Sequence, residues 1–351
     1  MFSILPFQYR QIDPSEVEAN DTKLSAMERT MRKYIDQQPG TEWRYWEDGK
    51  HFQAWYPVHV AADLKQGMIV GRKFLGSKII VYRDPEGNAV AQSAFCPHLG
   101  ADLSGGEICE GQVRCPYHHW SYDKDGACTK VASGTRPPKV ARLRNYPVAE
   151  KWGIIWVFNG EEPLYEVPGF RGNEEDYIFK AREREEVIET DSWIQGSNGL
   201  DFQHLTAVHH MPETMKPQTV TYDDYTIEYD LKGFSPNGWN KMFGGNCLAA
   251  HETVPVPGAH VLFITAAPEP GVAESFWVAA VKKADFETRE QAEARVEELD
   301  KFLFGFFDED EYILRDIRFR LPGNAKLIKD DYHLAKYFEF LDKFPRAAPL
   351  E

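Results

Sequence analysis

Long apolar runs and positive charge are both scarce in this sequence. No stretch of about eighteen apolar residues occurs, so a transmembrane helix is not expected. Acidic residues outnumber basic ones by 55 to 40, which gives a formal net charge of −15. Because phosphate binding draws on clustered Lys and Arg, this balance argues against a nucleic-acid partner.

Cysteine is also rare, with five residues in 351. An odd, small number does not form a disulfide framework and is typical of a reducing compartment. Residues 1–11 are apolar but lack the basic segment and the small-residue cleavage site of a signal peptide. No G-x-G-x-x-G lies in a βαβ context, so a flavin or nicotinamide site is not expected. We therefore expect a cytoplasmic protein without a bound dinucleotide.

Two Cys–His pairs are the most distinctive feature that is present. Cys96-Pro97-His98 is followed, after sixteen residues rich in glycine, by Cys115-Pro116-Tyr117-His118. Two thiolates on one iron and two imidazoles on the other are the ligand set of a Rieske 2Fe-2S cluster. A structural zinc is the alternative, but zinc sites usually space their donors as Cys-x2-4-Cys and His-x3-5-His.

The segments CPHLG and CPYHHW resemble the Rieske pattern Cys-x-His…Cys-x2-His. The resemblance implies that Cys96 and Cys115 are the thiolate ligands of the cluster. It implies in the same way that His98 and His118 are its imidazole ligands.

Three positions depart from common Rieske patterns. His119 stands where the family usually has Gly, and a positive φ there would be mildly strained. Ala101 and Tyr117 stand where respiratory Rieske proteins carry extra cysteines. These two positions favour the oxygenase and ferredoxin branch.

A second motif lies in SNGLDFQHLTAVHHMPE, residues 197–213, where Asn198, Asp201, His204 and His209 are spaced Asn-x2-Asp-x2-His-x4-His. Residues five apart do not share a face of a regular α-helix, so the two imidazoles converge only if the helix is broken between them. The segment resembles the iron motif of Rieske non-heme iron oxygenases, in which two histidines and one carboxylate hold Fe(II).

That resemblance implies that His204 and His209 are iron ligands. It implies that Asp201 carries the electron path from a cluster histidine to an iron histidine. Asn198 either lines the iron site or caps the helix.

The carboxylate ligand is expected from the acidic run 308–311. Apolar residues recur at helical spacing through this region, and position 310 falls on their face: Leu299, Leu303, Phe306, Ile313 and Ile317. A carboxylate on an apolar face is costly unless it is paired or binds a metal. Asp310 is therefore the predicted third ligand, and its acidic neighbours are expected to be solvated. A helix end or an ion pair at Asp310 is the alternative.

Short strands punctuated by Pro, Gly and Asn follow residue 51, and a long helical stretch spans 287–321. This pattern predicts an α+β protein. The resemblance implies an N-terminal all-β Rieske 2Fe-2S domain and a helix-grip-like catalytic domain with an antiparallel sheet and a long C-terminal helix. The expected boundaries are a helical arm over 1–49, the Rieske domain over 50–165, and the mononuclear iron domain over 166–351.

The resemblance also implies a function. The chain would be the terminal oxygenase of a multicomponent system that uses O2 and electrons from a separate NAD(P)H-dependent reductase, with or without a ferredoxin. RPPKVARLRNYPV, residues 136–148, looks like the single-subunit branch that hydroxylates or demethylates apolar cyclic, aromatic or steroid-like compounds.

The family further implies a homotrimer in which His118 of one subunit faces Asp201 of the next. Two other functions stay open on the sequence. One is arene cis-dihydroxylation, and the other is a Rieske electron-transfer protein without oxygenase activity.

Overall fold

A computed structural model describes residues 48–213, 215–315, 317 and 326–350. The helical arm predicted for residues 1–49 lies almost wholly outside the described residues. The last part of the helical stretch predicted to reach residue 321 lies outside them as well. No helix within the described ranges is both long and apolar enough to cross a membrane. All five cysteines are free thiols.

Short antiparallel strands make up the N-terminal half of the described chain. They are β1 (His51–Phe52), β2 (Trp55–Val60), β3 (Ile69–Phe74), β4 (Ser77–Arg83), β5 (Ala89–Ser93), β6 (Glu107–Cys109), β7 (Gln112–Arg114), β8 (Ser121–Tyr122), β9 (Cys128–Lys130), β10 (Val148–Lys151) and β11 (Ile154–Phe158). They form three small sheets, with strand orders β10-β11-β2, β3-β4-β5 and β6-β7-β8-β9.

One large sheet and its helices make up the C-terminal half. The elements are β12 (Tyr177–Ile188), α1 (Ser192–Ser197), α2 (Phe202–Ala207), β13 (Val220–Tyr222), β14 (Thr226–Asp230), β15 (Trp239–Phe243), β16 (Cys247–His251), β17 (His260–Glu269), β18 (Val272–Lys282), α3 (Arg289–Leu314), α4 (Tyr332–Lys343) and β19 (Arg346–Ala347). The sheet has seven antiparallel strands in the order β12-β18-β17-β16-β15-β14-β13. Strand β19 returns to pair with β1. The predicted α+β class is confirmed.

Helix α3 packs along this sheet. It begins with a capping box, in which the Thr288 hydroxyl accepts from the Gln291 amide and the Gln291 side chain accepts from the Thr288 amide. It contacts strands β18 and β12, and its buried residues are Ala292, Val296, Leu299, Asp300, Leu303, Phe307, Asp310 and Leu314. The predicted stripe is off by one residue at two positions, because Phe307 is buried in place of Phe306, and Leu314 is buried in place of Ile313, which is 42% exposed. Steps of four, four, three and four residues from Leu299 follow the 3.6-residue turn.

An ionic cluster joins the two halves. Arg72 of β3 donates to Glu183 of β12 and, at 3.3 Å, to Glu274 of β18. A continuous apolar core crosses the same boundary, and it includes Val81 from the first half and Ile194 from the second. The halves therefore share a core as well as a charge cluster.

Helix α4 fixes the segment that carries α1 and α2. The hydroxyl of Tyr337 lies 2.7 Å from the Trp193 carbonyl and 2.9 Å from the Gly245 carbonyl. A Cβ on Gly196 would collide with the Gly245 carbonyl, so only glycine lets α1 approach the β15–β16 turn this closely.

A buried histidine pair bridges β16 and β17. His251 and His260 are cross-strand partners, and their Nδ1 atoms lie 2.7 Å apart. Burial, His260 and Arg171 lower the pKa of His251 to about 2. Burial and Lys282 lower the pKa of His260 to about 4. Both rings are therefore neutral in the folded protein, and one Nδ1–H donates to the other Nδ1.

We expect this pair to make the fold acid-sensitive. The unfolded chain binds protons below pH 6.5 that the folded chain does not bind. The stabilisation is therefore complete above pH 6.5 and is lost as the pH falls towards 4. Urea unfolding at a series of pH values gives the free energy of unfolding as a function of pH. Between pH 4 and 6.5 this free energy should rise less steeply with pH in a variant with His251→Gln and His260→Gln than in the wild type. The slopes should differ by up to about 1.4 kcal/mol per pH unit for each histidine. Equal slopes in wild type and variant would contradict this account.

Candidate metal sites

The first candidate site lies where two loops meet at the end of the N-terminal sheets. Cys96 follows β5 and Cys115 follows β7, and both thiols are buried. The rings of His98 and His118 have centroids 4.7 Å apart. Trp120 stacks on His98 at 4.3 Å, which covers one face of that ring. The structure thus brings the two predicted imidazoles together and buries the two predicted thiols in one apolar cluster, against which Trp120 also packs.

These residues fit an iron–sulfur cluster. The Nδ1 atom of His98 is buried and has no hydrogen-bond partner among the described residues. A buried ring nitrogen without a partner is unfavourable, and coordination to a metal ion would satisfy it. Two buried thiols and two imidazoles are the donor set that a Rieske cluster takes.

His119 adopts a φ of 55°, in the left-handed region. The strain expected at a position where the family usually has Gly is therefore present. Its amide donates to the Cys115 carbonyl at 3.1 Å, which closes the turn around the second pair.

Tyr122 is a part of this site that the sequence motif did not indicate. Its hydroxyl lies 3.0 Å from the Sγ atom of Cys96, and the Tyr122 side chain is fully buried. The residue lies on β8, after the second ligand pair, and only the fold brings it to the first pair.

The second candidate site begins at α2. This helix ends at Ala207, so His204 lies on the helix and His209 lies in the loop that follows it. His210 has a φ of 53°, which turns the chain sharply at this point. The break expected between the two histidines is present, and their Nε2 atoms lie 3.0 Å apart.

Asp310 of α3 completes this group. Its Oδ1 atom lies 3.0 Å from Nε2 of His209 and 3.2 Å from Nε2 of His204. One ligand atom from each residue can be chosen so that all three lie within 4.8 Å of one another. We call His204, His209 and Asp310 the triad.

Hydrogen bonds shift the pKa values of Asp310 and His209. Burial favours the neutral acid of Asp310, but hydrogen bonds from His204 and His209 outweigh it and hold the pKa of Asp310 below its ordinary value. Burial also disfavours the charged form of His209, yet hydrogen bonds to Asp310 and Glu309 raise the pKa of His209 above its ordinary value. A divalent cation would take the place of the proton between the rings and the carboxylate.

Asp201 lies at the start of α2. Its carboxylate accepts a hydrogen bond of 3.0 Å from the backbone amide of His204 and so caps the helix. Asn198 does not cap this helix, and it lines the cavity beside the triad. The side-chain nitrogen of Asn198 is buried and has no partner within the described part of the chain.

Asp308 and Glu309 are half-exposed, as expected for solvated neighbours of Asp310, but all three acidic neighbours are also paired. Asp308 and Glu311 both accept hydrogen bonds from the buried Arg184. The Oε2 atom of Glu309 lies 2.8 Å from Nδ1 of His209. Their partners come from strand β12 and from the loop after α2, so the helical periodicity alone could not identify them.

A cavity opens beside the triad. It lies between strands β15 to β17 and the three helices α1 to α3. Its walls are mostly apolar and include Met211, Met242, Leu248 and Phe263. Among the described residues that line it, the acidic or basic side chains belong to the triad. This is the form of a small-molecule site that excludes water and offers little to a charged ligand.

Residues 54–147 match the Rieske [2Fe-2S] domain family. A 2Fe-2S cluster is therefore the cofactor of this part of the chain. Among solved structures, dicamba monooxygenase bound to dicamba superposes with a TM-score of 0.62 at 19% identity, over 83% of this chain and 96% of that chain. The chain thus combines a Rieske domain with the fold of the Rieske non-heme iron oxygenases, and the resemblance drawn from the sequence is confirmed.

Two curated relatives share part of the sequence. Cholesterol 7-desaturase nvd of Bombyx mori is 34% identical over 162 residues, which are 44% of this chain and 35% of the relative. The 3-chlorobenzoate-3,4-dioxygenase oxygenase subunit of Comamonas testosteroni is 29% identical over 212 residues, which are 56% of this chain and 46% of the relative. The chain thus spans less than half the length of these two relatives.

The contact between Tyr122 and Cys96 generates a prediction. A hydroxyl that donates to a ligand sulfur stabilises the more electron-rich, reduced form of a cluster and raises its potential. We expect Tyr122→Phe to lower the reduction potential while the visible spectrum of the cluster is retained. Protein-film voltammetry measures the shift. Tyr82→Phe, at a buried ring of the same core whose hydroxyl lies 3.3 Å from the Gln92 side chain and not near a ligand sulfur, is the control and should leave the potential unchanged. An unchanged or higher potential in Tyr122→Phe would contradict the prediction.

Proposed function

We propose that the protein is the oxygenase component of a multicomponent Rieske non-heme iron system. The observation that carries this proposal is the triad, which opens onto an apolar cavity in a chain that also has a Rieske domain. Two histidines and one carboxylate are the ligand set of non-heme Fe(II) oxygenases. A protein that only carried electrons would not need these three residues beside a cavity.

Each candidate ligand has a role in this proposal. Cys96, His98, Cys115 and His118 hold the cluster, and the triad holds one iron. When bound, these groups supply one-electron transfer and the activation of O2 next to the substrate. The apolar cavity walls hold the substrate at the triad and exclude water from it.

The substrate class follows from the cavity. We propose an uncharged, apolar cyclic compound, aromatic or steroid-like, that is hydroxylated or oxidatively demethylated. No Lys or Arg is present among the described residues that line the cavity, so a carboxylate substrate would lack a counter-ion. The name of the Bombyx mori relative, a cholesterol desaturase, agrees with a steroid-like substrate. Arene cis-dihydroxylation is the alternative, because the Comamonas testosteroni relative is named as a dioxygenase.

The electrons would come from a separate protein. We propose an NAD(P)H-dependent reductase, with or without a ferredoxin, since the sequence has no dinucleotide motif. The name of the Comamonas testosteroni relative, an oxygenase subunit, agrees with a multicomponent arrangement. We propose a cytoplasmic location, which agrees with the lack of a disulfide among the five cysteines.

A homotrimer is part of the proposal. Within the described ranges, none of the recorded hydrogen bonds or ring contacts of the cluster ligands reaches the triad. Large apolar side chains next to these ligands are exposed: Phe95 by 49%, Leu99 by 65% and Tyr117 by 63%. Exposed apolar residues grouped in this way are typical of a protein interface. We propose that this surface docks on the neighbouring subunit, with His118 facing Asp201 of that subunit.

Asp201→Asn tests the proposed electron path. Asn caps helices as well as Asp does, so α2 and the position of His204 should be kept while the carboxylate is lost. We expect both metal sites to stay loaded. The cluster is reduced with dithionite and reoxidised by O2 with a neutral sterol or arene bound, and this reoxidation should slow by at least about tenfold. Stopped-flow absorbance of the cluster measures this rate.

Asp330→Asn is the matched control for this experiment. Asp330 is an exposed carboxylate on the turn Lys329–Asp331, which packs against α2. The control should reoxidise at the wild-type rate. A wild-type rate in Asp201→Asn, with both metals bound, would show that Asp201 does not carry the electron path.

A further inference from the structure

The two nitrogens of the His209 ring face different carboxylates. Its Nε2 atom points to the centre of the triad, 3.0 Å from Oδ1 of Asp310. Its Nδ1 atom lies 2.8 Å from Oε2 of Glu309. The ring is therefore held between two acidic residues that are adjacent in the sequence, one on the metal side and one on the outer side.

The geometry of α3 explains how adjacent residues reach opposite sides of one ring. Consecutive residues of a helix point about 100° apart. Asp310 faces the core and is buried, whereas the Glu309 side chain is 52% exposed at the edge of the helix. The loop position of His209, just after α2, places its ring between these two directions.

A third residue of α3 holds the face of the same ring. Phe306, one turn before Asp310, stacks on His209 with centroids 3.6 Å apart and planes 13° apart. The His209 side chain is only 2% exposed. Its orientation is thus fixed on the ring face by Phe306 and at Nδ1 by Glu309.

We infer that Glu309 is a positioning residue for the metal centre. By accepting a hydrogen bond from Nδ1–H, it selects the tautomer in which Nε2 carries no proton and is directed at the metal. A carboxylate at this position also makes the imidazole a stronger donor. This inference rests on the proposed metal role of the triad, and it assigns a function to a residue that the sequence placed among solvated charges.

An ordinary surface ion pair would behave differently. Exposed pairs contribute little to stability, and the loss of such a pair would leave the metal affinity of the triad unchanged. Loss of a carboxylate that orients a ligand typically weakens metal binding by about 10–100-fold. The two roles are therefore separated by metal affinity rather than by stability.

The experiment is a titration of the cluster-loaded, full-length protein with Co(II) under anaerobic conditions, followed by visible absorption. We expect Glu309→Ala to bind Co(II) about 10–100-fold more weakly than wild type and with an altered ligand-field spectrum. Glu309→Gln keeps an oxygen that can accept from Nδ1–H, so it should restore part of the affinity. Cluster absorbance and the melting temperature report whether each variant is folded.

Asp308→Ala is the matched control. The Asp308 side chain is 52% exposed, the same as that of Glu309, but Asp308 pairs with Arg184, which keeps Glu311 as a second partner. This variant should bind Co(II) with wild-type affinity. If Glu309→Ala does not fold, Glu309→Leu, which also removes the acceptor, against Asp308→Leu carries the same comparison.

Two negative outcomes are distinguishable. Wild-type Co(II) affinity in folded Glu309→Ala, or in Glu309→Leu where the Ala variant does not fold, would overturn this inference and leave the proposed function standing. If the wild type binds no Co(II), or if His204→Ala binds it as well as the wild type does, the proposed metal centre is overturned, and this inference with it.

Discussion

The metal site of the C-terminal half depends on the burial of an ionised carboxylate, Asp310. Asp310 lies on the apolar face of α3, where an unpaired charge would cost several kcal/mol. His204 and His209 compensate that cost only because α2 ends early enough for His209 to turn back towards the helix. The same face of α3 packs Leu303 and Phe307 against the sheet, so one helix face fixes both the core packing and the position of Asp310.

The two halves of the chain are held together but offer different surroundings to their candidate metal sites. Arg72 and its two glutamate partners, together with a shared apolar core, hold the halves in a fixed relation. The cluster loops lie next to exposed apolar side chains, whereas the triad lies beside an apolar cavity. A site that a partner protein contacts must be exposed, whereas a site that excludes water must be enclosed. Placing the two sites in separate halves meets both requirements. The proposed contact with a neighbouring subunit would join these two environments.

Features with a local signal could be predicted from the sequence. The spacing of His204 and His209 required a break in the helix, and the break is present. Apolar periodicity placed Asp310 on a buried helix face, which is also observed, although the buried residues on either side of it are Phe307 and Leu314 and not the predicted Phe306 and Ile313. The roles of Tyr122 and Glu309 could not be predicted, because their partners are brought near only by tertiary packing. The helical arm over 1–49 stays a prediction.

The metal content of the purified chain tests the central claim most directly. A cluster and one iron at the triad predict about three iron atoms per chain in the wild type. Asp310→Ala should contain about two, with the cluster absorbance unchanged. About two iron atoms in the fully loaded wild type, or the same iron content in both proteins, would contradict the account and favour an electron carrier without an oxygenase centre.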